Sequence, residues 1–405
     1  MKRFFAVSVW ISVLFLAIGC SEDSETQGPV INDDYIVAEI VSPSDGARFS
    51  QDMGITFYGE ARYFQSSSRV PDSQLVWISD IDGELSSGRA LTDNLLSVGT
   101  HEIKFEAFDN DGNISGDSIS VVVYLDSVLV SIPSAADFDM GWSDGVGTTQ
   151  LDYEPIHSVA LDAFELGRYE VTYSLWSKVK SWGELNGYTF ENEGIRGSNS
   201  TLSTTIQHPV TNISWRDCIA WCNAYSEKEG LDPVYYTSSG KTEYYKDSSS
   251  DGDINNDCVD WAGNGFRLPT EAEWEYVARY IDGSSYVDGD MHSGYNINAN
   301  LSDCAWFQDN SEYLTHGVGE LAANSLGIND MSGNIFEWCW DYYDSDYYPI
   351  DPIDPIDNPR GPDSGVYRVL RGGSWIDSSE KCATSVRSNF SPGIDSNNIG
   401  FRVCR

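Results

Sequence analysis

From about Ser127 to Arg405 the chain carries very little helical or strand periodicity, and nothing else in the sequence constrains its fold as tightly. Long Gly, Asn, Asp and Ser stretches such as Asp247 to Asn256 separate the few segments that have a regular signal. Ser214 caps one of them, in which Cys218 and Cys222 stand one helical turn apart. Thr270-Glu271-Ala272-Glu273 has the form of a capping box and predicts a helix through Arg279. The imperfect repeat from Asp351 to Pro359 reads as an extended surface loop. A chain so poor in regular structure must pin its loops with aromatics, disulfides or ions, and 13 Trp supply the first.

Lys and Arg number 24 against 63 Asp and Glu, a formal net charge of −39. That charge repels nucleic acid and anionic lipid headgroups, so neither is an expected partner. With 40% hydrophobic residues the chain is nonetheless too rich in core material to be a disordered acidic tail. Met1-Lys2-Arg3 followed by an apolar run from Phe4 to Ile18 reads as a signal peptide, too short for a spanning helix. It closes on Ala17-Ile18-Gly19-Cys20, which resembles a bacterial lipoprotein signal (residues 1–20) cut before a lipidated Cys20. Ordinary cleavage would instead leave Cys20 free and the protein secreted or periplasmic. The acidic tether that follows, residues 21–35, resembles the surface-export tags of Bacteroidetes lipoproteins. The expected location is the cell envelope, on the outer membrane or cell surface, with the lipid anchor as the only membrane contact. Seven cysteines remain after Cys20, all in the C-terminal two-thirds, and an oxidising compartment favours disulfides among them.

Residues 36–126 have a different grammar. Ile36 to Val41, Ile55 to Gly59, Leu75 to Ile78, His101 to Ala107 and Ser118 to Tyr124 are short strand patterns divided by turns. Strict alternation puts Ile103, Phe105 and Ala107 on one face. These features predict an all-β sandwich, and they resemble bacterial immunoglobulin-like or polycystic-kidney-disease-type modules, which space a neighbouring domain. The loop from Asp109 to Asn113 lacks EF-hand spacing and reads as a turn.

Residues 127–405 resemble the formylglycine-generating enzyme family, also called sulfatase-modifying factors. Seven segments carry the resemblance in chain order. They start at Phe138-Asp-Met-Gly141, Phe164-Glu-Leu-Gly-Arg-Tyr-Glu170-Val-Thr172, Pro209-Val-Thr-Asn-Ile-Ser-Trp215 and Gly265-Phe-Arg-Leu-Pro-Thr-Glu-Ala-Glu-Trp-Glu-Tyr276. Asn329-Asp-Met-Ser-Gly-Asn-Ile-Phe-Glu-Trp338, Arg371-Gly-Gly-Ser-Trp375 and Gly400-Phe-Arg402 complete them. The resemblance implies an α+β domain with little regular secondary structure, distantly like C-type lectins. Family enzymes oxidise a peptide cysteine to formylglycine with oxygen and copper(I), which two thiolates hold. Cys382 matches the second thiolate and Ser374 a serine beside it, but Asp377 stands where the first thiolate belongs. Cys382 is otherwise a disulfide partner, Cys339 being one candidate. The five histidines are too scattered for an iron site of the kind other relatives use.

By the same resemblance, structural calcium is expected on the side chains of Asp330 and Glu337 and the carbonyls of Gly333 and Ile335. A second calcium site would begin at Asn300 and Leu301. The resemblance also implies a Cys222–Cys404 disulfide and places the family's other one on Ala278 and Arg387, where it is absent. Cys258 and Cys304 are left as possible partners. The aromatic-rich segments from Trp338 to Tyr343 and at Tyr347-Tyr348 either fill a loop-rich core or line a groove for sugars or a peptide. The expected function is a calcium-stabilised scaffold that binds or assembles a protein or peptide partner, or a glycan, as in gliding-motility lipoproteins. The alternative is a divergent formylglycine-generating oxidase.

Overall fold

A computed structural model describes residues 35–405 apart from 51–54, 95, 97–98, 125–128, 144–155, 200, 203–206, 251, 284, 290, 295–300 and 349–354. The signal segment, Cys20, the tether before Tyr35 and Asn300 lie outside the described residues.

Eight strands follow Tyr35: β1 (Ile36–Ser42), β2 (Ala47–Ser50), β3 (Ile55–Tyr63), β4 (Leu75–Ser79), β5 (Gly83–Ser87), β6 (Ala90–Asn94), β7 (Gly99–Phe108) and β8 (Ile114–Tyr124). They form a three-stranded sheet, β1-β3-β6, and a five-stranded one, β2-β8-β7-β4-β5. The alternation along β7 decides its packing. Ile103, Phe105 and Ala107 are fully buried, and so is His101, whose Nδ1 lies 2.8 Å from the Ser79 hydroxyl. Trp77 of β4 sits among rings from both sheets, 4.5 Å from Phe105 and 5.5 Å from Phe57. One core cluster unites these residues with Ile36 and Val121.

From Leu129 onward strands are short. The longest sheet has four, in the order Ser388–Phe390, Arg368–Arg371, Phe336–Tyr342, Ile399–Gly400. Among the described residues three α-helices accompany it: α1 (Tyr173–Leu185), α2 (Trp215–Lys228) and α3 (Glu271–Arg279). α2 and α3 begin at the predicted caps. Ser214 accepts from the Asp217 N–H at 3.1 Å while Asp217 accepts from the Ser214 N–H at 2.9 Å. Thr270 and Glu273 make the same reciprocal pair at 3.2 and 2.8 Å. α1 is the element that sequence reasoning missed. Its signals are the Thr172 cap and a buried stripe of Leu175, Trp176, Val179 and Gly183. The stripe faces α2, where Trp221 stacks parallel to Trp176 at 5.9 Å and donates to its carbonyl.

The aromatic run at Trp338 belongs to the core. All seven residues of Phe336–Tyr342 are buried, and Trp340 packs on Trp215 and Tyr235 at 5.3 Å each. Arg368 is threaded through this cluster, 3.7 Å over Trp215, donating to the carbonyls of Trp340 and Ile254 at 2.6 Å. A guanidinium is tolerated there because both of its terminal nitrogens find carbonyls and its flat faces find rings.

Among the described residues all seven cysteines are buried free thiols. Cys222 and Cys404, the pair the resemblance bridges, are both free thiols here, and the Cys404 sulfur faces Glu273 Oε2 at 3.8 Å. Cys339 and Cys382 are in separate packing clusters. Cys258 and Cys304 each bond within their own turn at 3.4 Å, to Asn255 Oδ1 and the Leu301 carbonyl. Aromatics and buried ion pairs therefore do the pinning that disulfides were expected to share. No helix among the described residues is long and apolar enough to cross a membrane.

Because Trp77 belongs to a core separate from those downstream, Trp77→Ala should cost about 3–5 kcal/mol in the β1–β8 unit alone. Scanning calorimetry should show one transition shifted down and a second unmoved. A uniform shift of all unfolding heat would show that the two parts unfold as one.

Candidate functional site

The segments Asp330–Glu337 and Arg371–Cys382 are knitted together. The Gly333 N–H donates to the Gly372 carbonyl at 2.8 Å, and the Trp375 N–H to the Asn334 carbonyl at 2.9 Å. Gly333 has φ +76°, and a Cβ there would collide with the Trp306 carbonyl. That carbonyl accepts from the Asn334 N–H at 2.7 Å, and the Trp306 ring stacks on His316 at 3.6 Å. Phe307 and Ala305, either side of Trp306, pack directly on Cys382.

Cys382 is fully buried. Burial, with the nearby Asp377 carboxylate, pushes its thiol up to about 12, against the opposing backbone N–H groups of Ser374 and Gly333. A Cβ on Gly373 would stand 2.6 Å from the sulfur, so the thiol lies tight against backbone. The Ser374 hydroxyl donates to the Asp377 carboxylate and accepts from Asn398 Nδ2 at 3.2 Å. Asp377 also donates its N–H to the Ser374 carbonyl at 3.0 Å, so residues 374–377 close a turn. The resemblance brings Cys382, Ser374 and Asp377 to one place, and they are close together. Their donor set is one thiol held neutral and one hard carboxylate already hydrogen-bonded. Such a set does not fit copper(I), which is held by two thiolates.

The expected calcium ligands lead to a different chemistry. Both Glu337 oxygens accept from Arg402, Oε2 from Nε at 2.7 Å and Oε1 from Nη2 at 2.6 Å, and Trp274 Nε1 adds a bond at 2.8 Å. Arg402 and Glu337 are both completely buried. The remaining guanidinium donors reach the carbonyls of Gly167 at 2.9 Å and Asn329 at 3.0 Å. Asp330 accepts from the Gly319 N–H at 2.7 Å. Among the described residues no group of three or more His, Cys, Asp or Glu side chains is placed to hold a metal ion. As arranged, Glu337 is paired with the Arg402 guanidinium through both of its oxygens. Leu301 instead opens a short 3-10 turn and packs beside Cys382.

Sequence reasoning gave Glu170 and Arg402 no role. Glu170 is fully buried, accepting from Asn334 Nδ2 at 2.6 Å and from the Ile335 N–H at 3.3 Å. Burial, then the charges of Asp330 and Glu337, raise its carboxyl well above the usual range. Burial raises Asp330 to about 6, against the Gly319 N–H and Arg402. Burial opposes the charge on Arg402 too, but Glu337, Glu170 and Asp330 outweigh it and hold it protonated. The signal was a lone charge inside an apolar motif: Glu170 before Val171, Arg402 between Phe401 and Val403.

A second buried network surrounds α3, whose residues are all buried. Arg371 pairs with Glu275, and Arg387 grips Glu271 with both prongs at 2.7 and 2.8 Å. Arg387 and Ala278 are the positions where the resemblance puts an absent disulfide, and an ion pair now anchors the first of them.

Comparison with known proteins agrees with this geometry. Residues 128–405 match the sulfatase-modifying factor enzyme 1-like domain. Chaperone protein LppX of Paenibacillus barcinonensis is 31% identical over 271 residues, 61% of this chain and 82% of that protein. The formylglycine-generating enzyme of Thermomonospora curvata is 27% identical over 68% of this chain and 92% of its own length. A serine/threonine-protein kinase of Chlamydia pneumoniae is 29% identical over 66% of this chain, which spans only 36% of that protein. Among solved structures, Treponema denticola variable protein 1 is 30% identical and aligns with a TM-score of 0.52 over 74% of this chain and 98% of its own.

Two outcomes follow from the carboxylates. Glu337→Gln and Arg402→Met should each cost about 3–5 kcal/mol, and the double variant less than their sum, because either single change strands a buried charge. A calcium chelator should leave the wild-type melting temperature unchanged. A fall on chelation would put calcium, not Arg402, on Glu337.

Asp330 keeps its proton to about pH 6 when folded but loses it near 3.8 when unfolded. Between those values the folded state binds more protons, so its contribution to stability falls as pH rises. Asp330→Asn keeps the shape and removes the charge. Its melting temperature should exceed that of wild type at about pH 7.5 and lose that advantage near about pH 4. Parallel curves would rule the mechanism out.

Proposed function

The chain belongs to the sulfatase-modifying factor enzyme 1-like family through residues 128–405, and on that premise we propose that it is an extracytoplasmic binding or assembly protein without copper oxidase activity. One observation carries the reading. Where the oxidase needs a pair of thiolates, this chain has the Ser374–Asp377 turn beside a single buried thiol, Cys382, pushed up to about 12. A nucleophile or soft-metal ligand must be ionised and reachable, and this one is neither at neutral pH. The name of the 31% identical chaperone relative supports a role exercised through protein contact.

In this reading Cys20 carries the lipid anchor and the acidic tether leads out from the envelope. The β1–β8 unit, read as an immunoglobulin-like sandwich, holds the family domain away from the membrane. The dense aromatic and ionic core makes that domain a rigid platform for a protein or peptide partner.

The test is chemical. The full chain, loaded with copper(I), is given a peptide bearing the Cys-x-Pro-x-Arg motif, and the peptide cysteine is followed by mass spectrometry beside a competent family enzyme. We expect no conversion to the aldehyde in wild type, and copper(I) binding to appear in Asp377→Cys. Turnover by the unaltered chain would make the oxidase reading correct.

A further inference from the structure

The β1–β8 unit carries a cleft of about 620 Å³ that none of the roles above uses, within the ~300–1,000 Å³ typical of small-molecule sites. We propose that it is a binding site for a neutral glycan, which would make this unit a recognition module and not only a spacer.

Its floor is aromatic and open. Tyr35 and Phe64 stack face to face with centroids 4.7 Å apart and planes 12° apart, and they remain 56% and 59% exposed. Ile114, 61% exposed, lines the same cleft. Leaving two stacked rings and an isoleucine in water forgoes burial energy that a β-sheet edge ordinarily recovers. The rings are also held in place, because the Phe64 N–H donates to the Tyr35 carbonyl at 2.8 Å.

The opposite wall is the loop from Asp109 to Asn113, which the sequence reads as a plain turn. It is prebuilt. The Asp109 carboxylate accepts from the Asp111 N–H at 2.9 Å, the Asn113 N–H at 2.8 Å and Asn113 Nδ2 at 2.6 Å. Gln74 Nε2 donates to Asn110 Oδ1 at 2.8 Å, which leaves the Asn110 amide N–H groups as donors. Asp111 is exposed, and its carboxylate has no partner among the described residues, so it serves as an acceptor. Preorganised walls of this kind lower the entropic cost of binding.

The lining chemistry selects the ligand. No Lys or Arg lines the cleft and two Asp do, in a chain of net charge −39, so an anionic ligand is repelled. A pyranose ring offers C–H faces to the aromatics and hydroxyls that both donate and accept, matching the Asn110 amide and the Asp111 carboxylate. A cationic side chain over the rings is the competing occupant. It is disfavoured because Asp109 spends its charge on the loop, leaving one acid among neutral hydrogen-bonding groups.

The experiment is affinity electrophoresis of the full chain through native gels containing xylan, glucomannan, mixed-linkage β-glucan or starch, with polygalacturonate as the anionic comparison. We expect retardation in at least one neutral gel and none in polygalacturonate. Tyr35→Ala and Phe64→Ala should each weaken the retardation at least about tenfold, with unchanged melting temperature because both rings are exposed. Asp377→Asn, in the other part of the chain, should retain it. Normal mobility in every neutral gel, retardation that survives both ring variants, or ring-dependent binding of a lysine-rich peptide alone would each overturn the proposal. The copper assay reads the family domain and is independent of this result.

Discussion

Glu337 and Arg402 form the contact on which the rest of the family domain depends. Two opposite charges with no exposed surface are expensive to dehydrate, and only a full set of hydrogen bonds makes the arrangement stable. Here the set is complete. The pair joins the central strand of the four-stranded sheet to the segment after Gly400, and Trp274 brings in α3. Gly167 and Asn329 bring in two further loops. Segments with little secondary structure thus acquire fixed positions because each satisfies part of one buried charge.

The same logic explains the surrounding carboxylates. Burial and the neighbouring acids raise the carboxyl of Glu170 well above the usual range, and Asn334 and the Ile335 N–H orient it. Arg371 with Glu275, and Arg387 with Glu271, repeat the device around α3. A sequence of net charge −39 places several of its scarce arginines in the interior, where each is paired with a buried carboxylate. The stability of such a domain rests less on area buried than on geometry maintained.

Much of this was legible before the structure. The capping boxes at Ser214 and Thr270 placed two helices because a cap is local chemistry, decided within four residues. The alternation from His101 to Ala107 placed β7 for the same reason. Asp377 put a hard carboxylate where the resemblance places a thiolate, since a carboxylate cannot become a sulfur by folding. What could not be read was whatever depends on distant partners. Nothing near Glu337 in sequence reveals that Arg402 bonds both of its carboxylate oxygens. The Cys222–Cys404 bridge was inferred from a relative's pattern, while the sulfur's actual neighbour, Glu273, is 131 residues away in sequence. α1 escaped because its apolar stripe is partly Trp and Gly, residues equally at home in the loops around it.

The reach of Arg402 has a consequence for how the protein is made. Its partners Gly167 and Glu337 lie 235 and 65 residues earlier in the chain. During synthesis those partners emerge first and wait, with the carbonyl of one and the carboxylate of the other still solvated by water. The domain cannot close stepwise from its N-terminal side, because the cation that draws its loops together arrives after them.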